Sequence, residues 1–488
     1  MKKIKYNIKS IVFFVLLTMI VSCSDDFVDV ASEDENSEDF FNSEEDYQSA
    51  LIGAYDLLQS TYLNVMLGEI ASDNTLAGGE SASDTPGIQE IDDMVHTPVN
   101  AQLRDIWSWM YAGVNRANYI MEFQDKTDFA GKEEVIAQTR FLRAYYYFEL
   151  VKWFGDVPLA IDRRILFGEE TDFDRAPKED VYALIEEDLQ FAADNLPAIQ
   201  AETGRVTQGA ARALLGKVYL FQDKFSEAAT VLDQVIAGPY DLVTDYESIF
   251  EQEGENNIES VFEVQYTDEE GAGFGCLQCS EGNVAVGFNG IRNYSGPLFE
   301  SGFSFNIPTQ EVVDTFEAGD IRLDVAILDI DAWAADQGAT FSTGFEHTGY
   351  FNRKYIARQG DLNTGDANLT NPNNYRAIRF ADVLLMAAEA HNKKSPSNDG
   401  QALIYLNRVR SRAQLGDVTA TGAALTDAIY QERRVELVGE GHHFFDLVRT
   451  GRAATEIDGF VTGKHELFPI PLIEIQLAGN RWEQNPGY

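Results

Sequence analysis

The chain has 488 residues and is 44% hydrophobic, enough for a large core, and 37 basic against 80 acidic residues give it a net charge of −43. So acidic a surface repels phosphate backbones and anionic membrane surfaces, which excludes nucleic acid as a partner. Length alone suggests about three domains, and only three cysteines are present.

Lys2, Lys3, Lys5 and Lys9 precede an apolar run from Ile11 to Ile20, broken only by Thr18. A spanning helix needs about 20 apolar residues, so this run reads as the core of a signal peptide. It ends in Ile20-Val21-Ser22-Cys23, the form of a bacterial lipoprotein signal. Residues 1–22 are then removed and the Cys23 thiol carries acyl chains. Each buried acyl methylene is worth about 0.8 kcal/mol, so two or more chains hold a protein on a membrane. No later run is apolar for long enough to span a bilayer, so the lipid is the expected membrane attachment. Residues 23–45 are dominated by Ser, Asp, Glu and Asn and read as a flexible acidic tether.

Residues 46–488 read as one domain. Ala50, Leu51, Ala54, Tyr55 and Leu58 recur on one helix face. A second helix carries Leu103, Ile106, Trp107, Met110, Val114 and Ala117; a third carries Phe141, Ala144, Tyr145 and Phe148 and stops at Gly155 and Pro158. Pro177 opens a fourth, with Val181, Leu184, Ile185, Leu189 and Ala192 on its apolar face. Arg212-x-x-Leu215-Gly216-x-x-Tyr219, then Ala228-x-x-x-Leu232 and Pro239, follow the offsets of a tetratricopeptide repeat, with Arg212 replacing the first aromatic. A looser copy spans Leu384 to Ala390 with Ala402, Leu406 and Val409, its turn widened by residues 393–399, and a last helix runs from Ala428 to Val438. Residues 240–375 differ: glycine, asparagine and aromatics are frequent, and Ser260 to Tyr266 alternates as a strand does. The fold expected is mainly α: tetratricopeptide-type helical pairs over about 46–239 and 376–450, crossed by a loop-rich insert with short strands. Loops held by a rigid scaffold are where binding residues usually sit.

Several motifs go further. They are Ala112-Gly-Val-Asn115-Arg-Ala-Asn118, Arg140-Phe-Leu-Arg-Ala144-Tyr-Tyr146, Trp153-Phe-Gly-Asp156-Val-Pro158 and Ser304-Phe-Asn-Ile-Pro308-Thr309. The strongest are Glu432-Arg433-Arg434-Val-Glu436, Gly441-His-His-Phe444-Phe-Asp446-Leu-Val-Arg449 and Gln484-Asn-Pro-Gly-Tyr488. In this order and over almost the whole mature chain, they resemble the SusD/RagB family of Bacteroidetes nutrient-uptake lipoproteins. The resemblance implies four tetratricopeptide-type pairs with a loop-rich glycan-binding half. It also implies a lipid-anchored position on the outer membrane facing the cell exterior, as a lid on a SusC-like TonB-dependent transporter. The acidic residues after Cys23 resemble the family's surface-export signal, and His443 stands where the family commonly carries Arg. Glu432, Arg433, Arg434 and Glu436, like Asp446 and Arg449, can pair a turn apart on one helix face.

Catalytic signatures are absent: no G-x-S-x-G, H-E-x-x-H or Walker loop occurs, so an enzyme is not expected. No cofactor or metal set stands out. His442 and His443 are adjacent and cannot both face one ion on a regular element, and Asp329, Asp331 and Asp336 lack the glycine of a calcium loop. Gly271-Ala-Gly273-Phe-Gly275 opens no helix that would cradle phosphate. For Cys276-Leu-Gln-Cys279, zinc would need two more ligands and a redox motif a βαβ setting, so a disulfide is favoured outside the cell.

A glycan needs flat apolar platforms for its C–H faces and amides, carboxylates or guanidinium for its hydroxyls. Trp107 lies on an apolar helix face, Trp153 and Trp482 lie in family motifs, and Trp109 is ambiguous. Trp333 in the insert is the best placed, as a platform or as packing. Asn289, Arg292, Asn293 and Tyr294 mix amides, guanidinium and ring in the same half, and Asp73 and Asn74 follow the opening helix where family members often contact ligand. Net acidity mildly favours a neutral β-glucan such as laminarin over sulfated or uronate-rich chains. The competing reading, from the RagB branch, is a lid that captures peptides.

Overall fold

The computed structural model describes residues 40–360 and 368–488. Eight longer helices follow one another: α1 Glu44–Asp56, α2 Ala101–Glu122, α3 Lys132–Phe154, α4 Lys178–Asn195, α5 Gln208–Leu220, α6 Phe225–Ile236, α7 Phe380–Lys393 and α8 Asp399–Arg412. Each packs on the next, and α9 (Ala423–Glu436) closes the row against α7 and α8. The result is a mainly α body of four stacked helical pairs.

Local chemistry sets the pairs. Asn100 caps α2, its side-chain oxygen accepting the Leu103 N–H, and the apolar face from Leu103 to Ala117 is buried. A Cβ on Gly113 would sit 2.6 Å from the Tyr146 ring, so only glycine lets α2 and α3 approach this closely. At the repeat-like pair, a Cβ on Gly216 would meet the Leu232 side chain at 2.5 Å, which is why α5 and α6 cross there. Helix α3 is buried on nearly every side, as an inner helix must be. Its Arg143 is 2% exposed and grips Asp188 of α4 through two bonds of 2.7 and 2.8 Å.

Two boundaries differ from the sequence reading. The folded body begins before residue 46: Phe41 is fully buried against Tyr47, Tyr119 and Phe123, and Ser43 and Asp46 cap α1 reciprocally. Two adjacent aromatics supply the apolar surface that the polar stretch before them lacks. Residues 1–39, with Cys23, lie outside the described residues. The helix expected from Ala428 to Val438 begins earlier, at Ala423, and ends at Glu436, and the short helix His443–Arg449 follows it.

Between α6 and α7 the chain leaves the stack and returns. Strands β1 Thr75–Gly78, β2 Val157–Pro158, β3 Arg175–Ala176, β4 Ser260–Val264, β5 Phe305–Pro308, β6 Ile327–Asp329, β7 Tyr350–Asn352 and β8 Tyr375–Arg379 form four two-stranded antiparallel sheets. The β4–β8 pair closes the excursion directly before α7, and β1–β5 ties the insert to the loop after the opening helices. Within the insert, Ile291, Tyr294, Phe299, Leu328, Ile330, Phe351 and Ile356 make a small core of their own.

Insert and scaffold are joined by buried charge. Arg322 is fully buried among Asp320, Glu432 and Glu436 at 2.6–2.9 Å. Lys354 meets Glu440 at 2.7 Å, and Arg379 meets Glu259, Glu436 and Glu440 at 2.7–2.8 Å. Arg433 pairs with Asp382 and Asp446, and Arg434 with Asp73. The 432–436 charges therefore reach to other segments rather than to one another: Glu432 and Glu436 share Arg322 of the insert, while Arg433 turns to Asp382 and Arg434 to Asp73. Asp446 and Arg449 do pair within their helix, at 2.7 Å.

Candidate functional site

The structure separates the proposed contact residues into two groups. Asn74 is fully buried, donating to Glu69 at 3.0 Å and accepting from Arg434 at 2.8 Å. The Asp73 side chain is 7% exposed, with Arg434 at 2.5 Å on one oxygen and His443 at 3.0 Å on the other. Burial pushes the Asp73 carboxyl up, yet His443 and Arg434 hold it below its ordinary range. Asn289 is 2% exposed and accepts from the Asn306 amide. These three side chains are spent inside the fold, and the His443 Nε2 supplies one of the two partners of Asp73.

The second group lies together on the insert. Trp333 belongs to the short helix Ile330–Gln337, not to an irregular loop as expected, because the Asp329 side chain caps that helix on the Ala332 N–H. Its half-buried indole rests on the insert's small core, 5.2 Å from the Phe299 ring, and its N–H donates to the Tyr294 hydroxyl at 2.9 Å. Tyr294 is itself largely buried and donates to the Pro297 carbonyl. Asn293 is exposed in the left-handed region (φ 49°), its amide on the Ser342 hydroxyl. The Arg292 guanidinium donates to the Phe303 carbonyl at 2.7 Å, and Glu80 and Asp84 stand 3.7 Å away. The Arg292 Nε is buried without a partner. One strip thus runs from Trp333 through Asn293 and Arg292 to Phe303, edged by the 79–84 loop.

Sequence reasoning missed Glu80, Asp84, Phe303 and Ser342, which nothing in the local pattern marks. They arrive through long-range backbone pairing: Ser342 N–H to the Arg292 carbonyl, Phe345 N–H to Gly79, and Gly79 N–H to Ser304. Two carboxylates fasten the floor, Asp92 accepting the Ala77 N–H at 2.7 Å and Glu346 the Gly78 N–H at 3.4 Å. Burial pushes Asp92 up to about 7; the Ala77 N–H opposes this, and Glu346 and Asp93 add to it. A raised carboxyl holds its proton longer when folded, so stability here falls as pH rises from about 4 through 7. Asp92→Asn should therefore stabilise the protein at pH 8 by on the order of 1–3 kcal/mol and leave it nearly unchanged at pH 4. Thermal melts at the two pH values check this; equal shifts at both contradict it.

Elsewhere, a cleft of about 280 Å³ is lined by Trp107, Tyr111, Phe173 and Trp482. Trp107 and Trp482 are only 3% and 8% exposed, and the Trp482 N–H is spent on the Phe173 carbonyl, so they offer little open face. Cys276 and Cys279 are joined by a disulfide. Among the described residues no group of three or more His, Cys, Asp or Glu is placed to hold a metal ion, and no helix is long and apolar enough to cross a membrane.

A rigid stack of helical pairs presenting a loop-borne polar and aromatic surface defines a helical-repeat binding protein. Two family models match in tandem, one described as starch-binding and associating with the outer membrane over residues 26–220, the other as the SusD family over residues 246–466. The SusD-like protein P2 of Formosa agariphila is 28% identical with both chains fully covered, and a SusD-like protein of Bacteroides ovatus is 28% identical over 90% of this chain and 82% of its own. Among solved structures, a laminarin-binding SusD-like protein superposes with a TM-score of 0.84 at 36% identity, covering 92% of this chain and all of the other. Surface glycan-binding protein A of Bacteroides thetaiotaomicron in complex with laminarihexaose gives 0.81 at 28% identity, covering 91% and 99%. The chain belongs to the SusD/RagB family.

Proposed function

We propose that this protein is a cell-surface glycan-binding lipoprotein, anchored through Cys23, that captures a neutral β-glucan of the laminarin type and passes it to a SusC-like TonB-dependent transporter. It binds its ligand and does not cleave it. The observation that carries this reading is the strip on the insert. A half-buried indole at Trp333 lies in one surface with an amide, a guanidinium and two carboxylates, all held by a rigid scaffold. Such a surface offers ring faces to C–H groups and both donors and acceptors to hydroxyls. The likeness to laminarin-binding structures supports the choice of sugar.

Trp333→Ala tests the strip. Its affinity for laminarihexaose should fall about ten- to a hundredfold, as for aromatic stacking on planar ligands. The ring also packs on Phe299 and holds Tyr294, so stability should fall too, by about 1–3 kcal/mol, below the full cost of a buried aromatic. Unaltered affinity with lost stability would return Trp333 to packing alone. The anchor is tested by Cys23→Ala. The variant should leave the membrane fraction, and the wild-type chain, solubilised mildly, should be recovered with a large β-barrel partner. A variant that still pellets with membranes contradicts the anchor.

A further inference from the structure

We propose that the loop at residues 271–279, which ends in a disulfide, carries a saccharide-stacking platform, Phe274, that extends the strip beyond Phe303. This rests on the glycan-binding reading above and adds the residue that grips a second sugar ring.

The loop divides its apolar residues. Ala272 and Leu277 pack on the main core, whereas Phe274 stands 58% exposed. An exposed phenyl ring by itself is ordinary, and Phe167 is more exposed still at 90%. Phe274 differs in its neighbours. Its ring lies 5.8 Å from that of Phe303, which lies 5.7 Å from that of Phe288 and whose carbonyl receives the Arg292 guanidinium. The ring therefore continues a surface already equipped with a guanidinium and, across it, the Glu80 and Asp84 carboxylates. A pyranose whose C–H face lay on Phe274 could turn its hydroxyls toward those groups.

The two glycines beside the ring point the same way. Gly273 and Gly275 have no φ in the left-handed region, and a Cβ built on either meets nothing within 4 Å. Neither the backbone conformation nor the packing requires glycine at these positions. What their missing side chains provide is an uncrowded backbone before and after Phe274, where a ligand can come close. The Cys276–Cys279 disulfide closes the turn directly after the ring, and the Cys276 N–H bonds back to the Gly273 carbonyl at 3.2 Å across it. Ordering a presenting loop in advance removes a cost that binding would otherwise have to meet.

The test titrates laminarihexaose into the wild-type chain and into Phe274→Ala, Gly273→Val and Cys276→Ser/Cys279→Ser, each with a thermal melt. Phe274→Ala should bind about ten- to a hundredfold more weakly with an unchanged melting temperature. Gly273→Val should also weaken binding without loss of stability, because it fills ligand space and not protein space. The double serine variant should bind more weakly than wild type by several-fold. If the wild-type chain binds and Phe274→Ala and Gly273→Val bind equally well, the platform is overturned while the glycan reading stands. If the wild-type chain binds neither laminarihexaose nor any other neutral β-glucan, both fall together.

Discussion

Arg379→Met is expected to cost about 3–5 kcal/mol of stability, because it takes from three buried carboxylates a cation that they share. Arg379 is 1% exposed and holds Glu259, Glu436 and Glu440 at once, the first from the excursion and the others from the segment after α8. The cluster is no proof that ion pairs stabilise the fold overall, since buried pairs can often be replaced by apolar groups at little loss. Its value here is in fixing which segment meets which. Arg379→Lys, which keeps the charge but not the fork that reaches three carboxylates, should recover part of the loss. Urea unfolding of the three proteins measures both effects, and an Arg379→Met protein within about 1 kcal/mol of wild type contradicts this reading.

The same cluster sets an acid limit. Burial alone would raise Glu436, but Arg412, Arg379, Arg322 and Lys354 hold it below its ordinary value of 4.5. Glu440, Asp446 and Asp382 are lowered in the same way against their own burial. A carboxyl lowered by folding stabilises above its unfolded pKa, and that contribution is lost as pH falls toward the folded one. Glu432 runs the other way, burial outweighing Arg322 and Arg410. With four groups against one, stability should drop steeply below about pH 4.5.

Trp153→Ala is the second large effect, about 3–5 kcal/mol for a fully buried aromatic. Trp153 is 0% exposed, with Phe445 at 5.1 Å and Phe468 at 4.7 Å, and its carbonyl accepts the Phe468 N–H at 2.8 Å. It pins the end of α3 to the C-terminal segment. Stability should fall while laminarihexaose affinity at a permissive temperature is kept. Equal losses of both would place Trp153 in the binding surface instead.

The scaffold was legible because its signals are periodic and local. Leu103 to Ala117 and Gly216 with Leu232 state helix faces and a close crossing directly in spacing, and the structure places them as spacing implies. The insert was legible only as a departure from that pattern. Asp73 and Asn74 looked like loop polar groups available to ligand, yet Arg434, some 360 positions away, consumes both. Arg292 meets Glu80 and Asp84, and Asn293 meets Ser342, through contacts that no window of sequence contains. Trp333 was misplaced because a two-turn helix capped by Asp329 is too short to show a period. Phe274 did carry a signal, an aromatic among glycines beside a cysteine pair, but its exposure needed the folded loop.

Calorimetric titration of the wild-type chain, lacking residues 1–22, with laminarihexaose, with a sulfated polysaccharide and with a mixed peptide pool separates glycan capture from peptide capture. Saturable binding of laminarihexaose is expected, abolished or strongly weakened by Arg292→Ala, with no heat from the peptides. Saturable binding of peptides with no binding of any neutral β-glucan would contradict glycan capture and favour the peptide-capturing branch of the family.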